Sequence, residues 1–353
     1  MRYIGNKENL TNRIYCEIEK RNIKCKTFFD VFSGTANVAK YFKRKNYQIY
    51  SNDLMYYSFV LQKAYIENNQ IPNFSKCLNL IQNKVNVLFA EPLQIILHYL
   101  ENLPPKQGFF YNNYSPSGSK KLDIPRMYFT DENAKFIDKT RIKIQEWKDD
   151  NIITELEFFI LCASLIETVP FYSNISGTYG AFHKKWDNRA LKKIYLRQPE
   201  IIINNYKNLC FNTNSNLLLN EISADIFYLD PPYNQRQYAP NYHILETIAK
   251  YDNPKIKGIS GIREYENQKS RFCNVKTALQ DLEEIAKYGK YKYLLLSYNN
   301  EGIMPQNSII EILKSLGNLE LVEFDYLRFK SNSNGNAKHK KFIKEQLYIL
   351  EKK

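Results

Sequence analysis

A chain of 353 residues, 44% apolar and 25% charged, has the composition of a globular protein and the length for more than one domain. Fifty Lys and Arg against 37 Asp and Glu leave a net charge of +13, which favours a polyanionic partner over an acidic or neutral one. Codon bias in an AT-rich genome would enrich Lys, Asn, Ile and Tyr in the same way, and both readings stand at this level. The six cysteines and four histidines show no paired or zinc-ligand spacing, so no metal site is expected and the thiols are expected to be reduced. A polar start, MRYIGNKENL, and the lack of any run of about twenty apolar residues argue against a signal peptide and a membrane span. The expected location is the cytoplasm, as a monomer or weak dimer.

In chain order, Thr27–Phe32 reads as a short strand, followed by a Ser-Gly-Thr turn and a helix from about Asn37 to Arg44. YQIYSND is a second strand that ends on Asp53. Strand, glycine turn, helix, strand and acid form the first unit of a doubly wound α/β sheet. The next strand of this kind, ADIFYLD, lies far downstream. A helix near Val275–Tyr288, the strand KYLLLSYN and a helix near Ser308–Leu316 follow it, and LELVEFDYLRF and EQLYIL close the chain as two strands.

Between the two parts of the sheet lies a stretch of different character. LNLIQNKVNVLFAEPLQIILHYLENL and TELEFFILCASLIETV have helical patterns, while FFYNNYSPSGSKK and SNISGTYGAFHKKW are loops rich in Tyr, Ser, Asn and Gly. The expected organisation is therefore a sheet domain from residues 1–54 and 207–353, interrupted by a mostly helical domain at 55–206.

Ligands of open α/β sheets bind beyond the carboxyl ends of the strands. The turn Ser33-Gly34-Thr35 lets backbone approach such a ligand, and Asp53 is placed to accept hydrogen bonds from ribose hydroxyls. The full G-x-G-x-x-G of dinucleotide binders is missing, and no Walker lysine follows the turn. A nucleoside without a pyrophosphate fits better, and S-adenosylmethionine is one. The strand ADIFYLD then ends on Asp230, followed by Pro231, Pro232 and Tyr233. The prolines hold an extended backbone and donate no hydrogen bond. Such a site presents acceptors to a group with two N–H donors, such as the exocyclic amine of a base, while Tyr233 offers a ring to stack on. Orientation and electrostatics, rather than deprotonation, would then supply the rate.

These stretches together resemble the DNA adenine methylase family, the class alpha N6-adenine-specific DNA methyltransferases. RYIGNK is similar to that family's N-terminal cofactor motif, DVFSGTANVA to its strand-one motif, SND to its ribose motif and DPPYNQRQY to its catalytic motif. The resemblance implies a methyltransferase fold with S-adenosylmethionine as cofactor, double-stranded DNA as partner and the inserted domain as target reader. It also implies roles. Tyr3 and Lys7 help to hold the cofactor; Asp30, Phe32, Ser33, Gly34 and Thr35 line its pocket; Asp53 takes the ribose. Asp230, Pro231, Pro232 and Tyr233 form the catalytic set, with Asp230 also facing the cofactor. Where the family places an acid for the cofactor's adenine amine, this chain has Asn214, whose amide oxygen can accept the same bond.

DNA contacts are expected from Arg236 and Tyr238 after the catalytic motif, and from Tyr179, Lys184 and Lys185 in GTYGAFHKKW. Lys338, Lys340 and Lys341 in the loop SNSNGNAKHKK join them. The expected reaction is methyl transfer to the N6 amine of a flipped adenine within a specific duplex sequence. A cytosine N4 methyltransferase and a non-catalytic DNA-binding subunit are the alternatives. No nuclease segment is evident, so a cognate restriction endonuclease would be a separate chain.

Overall fold

The computed structural model describes residues 7, 10–82, 91–327 and 342–353, and the strands are numbered here in chain order. They are β1 (Thr27–Asp30), β2 (Gln48–Asn52), β3 (Leu209–Phe211), β4 (Ser223–Leu229), β5 (Ile256–Lys257), β6 (Ile262–Arg263), β7 (Lys290–Asn299), β8 (Gly317–Leu327) and β9 (Phe342–Lys352). Seven of them form one sheet in the order β3-β2-β1-β4-β7-β9-β8. The pairs β1–β2, β2–β3, β1–β4 and β4–β7 are parallel, whereas β9 runs antiparallel to both β7 and β8. From β1 the chain builds outward one way through β2 and β3, and the other way from β4 to β7. The switch point therefore lies between β1 and β4, where open sheets of this kind leave a crevice.

The parallel strands read as near-continuous apolar runs because both faces are covered. On one face Phe28 of β1 stacks on Phe42 of the helix Asn37–Arg44, ring centroids 4.0 Å apart, and on Tyr228 of β4. On the other, Phe29, Phe227, Leu294 and Leu296 share a buried cluster with Leu282 and Ile285 of the helix Val275–Tyr288 and Leu313 of the helix Gln306–Lys314. Aromatic packing of this density contributes about 0.5–1.5 kcal/mol per ring pair beyond area burial.

Differences from the expected elements are local. Strand β1 stops at Asp30, two residues early, because Val31 turns its N–H to the carbonyl of Tyr228 (3.0 Å) and Asn52 donates to the Val31 carbonyl. The three-residue β3 was too short to leave a periodic signal, and the helices Thr11–Lys20 and Asp131–Asp149 were not assigned from sequence.

The chain divides into two compact units. One holds the seven-stranded sheet and takes Ile4–Gln62, Ile202–Ala239 and Glu266–Lys353. The other, mostly helical, takes Lys63–Ile201 and also Pro240–Tyr265, which the sequence reading left with the sheet. Hydrogen bonds explain that second excursion. The buried Arg141 guanidinium donates to the carbonyls of Ile248 (2.8 Å) and Ala249 (3.2 Å), at the C-terminal end of the helix Tyr238–Lys250. A cation there satisfies orphan carbonyls and complements the helix dipole. Arg126 does the same for the carbonyls of Gly258 and Ile259 in the β5–β6 turn, and Tyr251 donates to Asp138 at 2.9 Å. Within this unit the helix Glu155–Thr168 begins with a capping box between Thr154 and Glu157. Among the described residues no helix is long and apolar enough to cross a membrane.

Candidate active site

The turn after β1 is built by the sheet around it. Gly34 sits at φ +53°, where a side chain would be strained. The Ser33 N–H donates to the Asn52 carbonyl at 2.9 Å, holding the turn against the end of β2. Asp53 then clamps it from one residue beyond that strand. Its Oδ2 accepts the Gly34 N–H at 2.8 Å and its Oδ1 accepts the Met55 N–H at 2.8 Å.

Asp30, at the end of β1, is 1% exposed and accepts the Ser33 hydroxyl at 3.0 Å. Burial pushes its carboxyl up to about 7; the Ser33 bond opposes this, and the charges of Asp230 and Asp53 add to it. Ser33 and Thr35 are buried in the turn, while Phe32 is half-buried with its ring edge-on to Phe272, centroids 5.1 Å apart.

Next to β1, β4 delivers Asp230 one residue past its end. The Asp230 side chain is 17% exposed, and its Oδ1 lies 3.4 Å from Lys7 Nζ, itself 5% exposed. Burial raises the Asp230 carboxyl to about 7 against the pull of the Lys7 ammonium, and a second carboxylate, Glu345, raises it further. Lys7 is held well above the usual ammonium range by Asp230 and Glu345 in spite of burial. Pro231 is buried, and Pro232 and Tyr233 are half-buried. The Tyr233 carbonyl accepts the Ile303 N–H at 3.0 Å. Beyond it, Gln237 and Ser270 exchange two hydrogen bonds of 3.1 and 2.8 Å, and the Cys273 thiol donates to the Arg236 carbonyl. The segment after the motif is thus tied to Ser270 and Cys273, with the Arg236 side chain exposed and Tyr238 half-buried.

The sheet unit brings together Lys7, Asp30, Phe32, Ser33, Gly34, Thr35, Asp53, Asp230, Pro231, Pro232 and Tyr233 around the ends of β1, β2 and β4. Asn214 is exposed, and its Oδ1 already accepts the Asn216 N–H at 3.1 Å, capping the short 3-10 helix Ser215–Leu218. Lys184 and Lys185 are exposed on the helical unit. Tyr179 is a correction to the expected DNA contacts. It is 1% exposed, its hydroxyl pairs with Ser173 at 3.0 Å, and its carbonyl accepts from Tyr128 at 2.7 Å. His243 Nε2 reaches the same carbonyl at 3.0 Å, so Tyr179 is a core residue that no nucleic acid reaches in this conformation. Tyr3, Lys338, Lys340 and Lys341 lie outside the described residues. One site residue escaped sequence reading altogether: Glu345 of β9, buried and ion-paired with Lys7. In sequence it sits between Lys344 and Gln346 in the strand FIKEQLYILEK, where an acid leaves no distinguishing mark.

The family model for D12 class N6 adenine-specific DNA methyltransferases matches residues 3–318. The type II methyltransferase M.FokI of Planomicrobium okeanokoites is 43% identical over 360 residues, and the modification methylase StsI of Streptococcus sanguinis is 38% identical over 357. Both matches take in all of this chain, which spans 53% and 52% of the length of those relatives. The type II methyltransferase M.NlaIII of Neisseria lactamica is 38% identical, and there the match covers 99% of the relative as well. The geometry at the ends of β1 and β4 and this similarity along the chain agree: the chain belongs to the D12 class of N6 adenine-specific DNA methyltransferases.

Proposed function

We propose that this protein transfers a methyl group from S-adenosylmethionine to the N6 amine of adenine within a specific sequence of duplex DNA. The observation that carries the reading is the position of Asp230. It follows directly on β4, next to the Gly34 turn at the switch point of the sheet, with the Lys7 ammonium 3.4 Å away.

The residues present fit a sulfonium-bearing adenosine. Asp53 is held by two amides as an acceptor for vicinal hydroxyls, and Gly34 allows close approach of the backbone. When bound, the cofactor supplies an electrophilic methyl group. Asp230 accepts a hydrogen bond from the target amine, which localises the nitrogen lone pair and aims it. The amine proton lost on methylation leaves through this acceptor. Tyr233 stacks on a base that has left the duplex. No base beyond Asp230 is required, and His243, buried and pushed down to about 3, is not suited to be one.

The helical unit, with Lys184 and Lys185, is proposed to read the target. A cognate restriction endonuclease is proposed as a functional partner. Incubation of the pure protein with labelled cofactor and DNA, followed by nucleoside analysis, tests the reading. Label in N6-methyladenine is expected. Label in N4-methylcytosine, or none, would replace it with one of the two alternatives.

A further inference from the structure

Two buried carboxylates share one buried ammonium at this site. Glu345 and Lys7 are each 5% exposed and are paired directly, while Lys7 reaches Asp230 at 3.4 Å through Oδ1. Glu345 lies on β9, an antiparallel strand that the cofactor and catalytic motifs do not include, in register with Asn299 of β7. Its second contact is the hydroxyl of Ser297 on β7, which donates at 3.3 Å. A carboxylate in the interior of a sheet is costly unless it is paired. A stability role alone would be met as well by an apolar residue packed in that place.

We propose that Glu345 is a positioning residue for methyl transfer, holding the Lys7 ammonium so that Lys7 steadies Asp230 without becoming its exclusive partner. The inference rests on the methyltransferase reading above. An ammonium with Asp230 as its sole counter-ion would close onto that carboxylate and compete with the incoming amine for the same lone pairs. Glu345 divides the ammonium's three donors and keeps the contact to Asp230 long. A net negative charge is left beside the amine, where positive charge develops as the methyl arrives.

Among the described residues, four groups bear on Asp230. Lys7 comes from the N-terminal segment, Glu345 from β9, the buried Tyr228 from β4, and Asp30 from the end of β1. Tyr233 stands near Lys7. Of the two groups whose charge presses on Asp230 most, Lys7 favours its ionised form and Glu345 opposes it.

Replacing Glu345 by Gln removes the opposing charge and leaves Lys7 to Asp230 alone. The acid limb of the pH profile of kcat/KM for DNA, at saturating S-adenosylmethionine, is then expected to move down by about one pH unit, with a lower plateau. Glu345→Asp, which keeps the charge but withdraws it by one methylene, is expected to move the limb the same way by less. It carries the test if Glu345→Gln does not fold. A merely structural role would lower the plateau and leave the limb in place. An acid limb at the wild-type pH in the folded variants would overturn the inference. Failure of the functional reading is separate and shows first, as a wild-type protein that methylates no adenine.

Discussion

Asp53 Oδ2 accepts the backbone N–H of Gly34 at 2.8 Å, joining the end of the second strand to the turn that follows the first. One carboxylate thereby shapes the glycine turn, and the proposed function gives it the ribose as a further partner. Its loss should cost about 1–3 kcal/mol of cofactor affinity, since hydroxyls and turn amide alike lose their acceptor. Calorimetric titration of Asp53→Ala with S-adenosylmethionine reads this directly. A dissociation constant equal to that of the wild type would move the ribose contact elsewhere.

Asp230 should behave in the opposite way. Asp230→Asn presents an amide donor where an acceptor is needed, so turnover should fall by about 100-fold or more. Cofactor affinity should stay near the wild-type value. Transfer within tenfold of wild type would rule out Asp230 as the group that orients the amine.

Acidity follows from the same burial. The carboxyl of Asp230 is raised to about 7, and its ionised form is both the stronger acceptor from an amine and the form able to take up the amine proton. The kcat/KM of the wild type should therefore fall about tenfold per pH unit on the acid side of this value. A profile flat from pH 8 to pH 5.5 would contradict it.

Asp30 gives a stability counterpart. Its folded carboxyl is raised to about 7, above the ordinary value of about 3.9. Between those values the folded state binds the proton that the unfolded state has lost. The contribution is complete below the ordinary value and disappears as pH rises through about 7. Urea unfolding should show wild-type stability declining from pH 5 to pH 7 more steeply than that of Asp30→Asn, by about 1 kcal/mol per unit. Equal slopes would mean that Asp30 is not held in its acid form.

How much of this was legible in sequence depends on where each residue's partners lie. The glycine turn, Asp53 and the Asp-Pro-Pro-Tyr stretch announce themselves because strand, turn and acid are neighbours along the chain. Glu345 was not legible, because its partner Lys7 is 338 residues away and an acid in a strand reads as a solvated position. Tyr179 misled for a related reason. Between Gly177 and Gly180 it resembles a surface loop residue, yet Tyr128 and His243, brought in from distant segments, bury it. Pro240–Tyr265 joins the helical unit through carbonyls satisfied by Arg126 and Arg141, and backbone acceptors leave no mark on sequence.

That burial sets the expectation for the helical unit. Tyr179→Phe should cost about 1 kcal/mol of stability through the lost Ser173 bond, with DNA affinity unchanged. Lys184→Ala with Lys185→Ala should leave stability and cofactor affinity intact and reduce the salt dependence of DNA binding by about one to two phosphate contacts. Binding titrations over a range of salt concentrations separate the two. A salt slope unchanged in the double lysine variant would remove this loop from the interface.

If Asp230 holds an adenine amine for methylation, the methylated nucleoside records it. DNA incubated with the pure protein and isotopically labelled S-adenosylmethionine, then digested to nucleosides and resolved by mass spectrometry, should carry the label in N6-methyladenine at one sequence context. The Asp230→Asn protein, folded and still binding cofactor, should leave the DNA unlabelled. Label in another nucleoside, or equal labelling by the Asp230→Asn protein, would contradict the account.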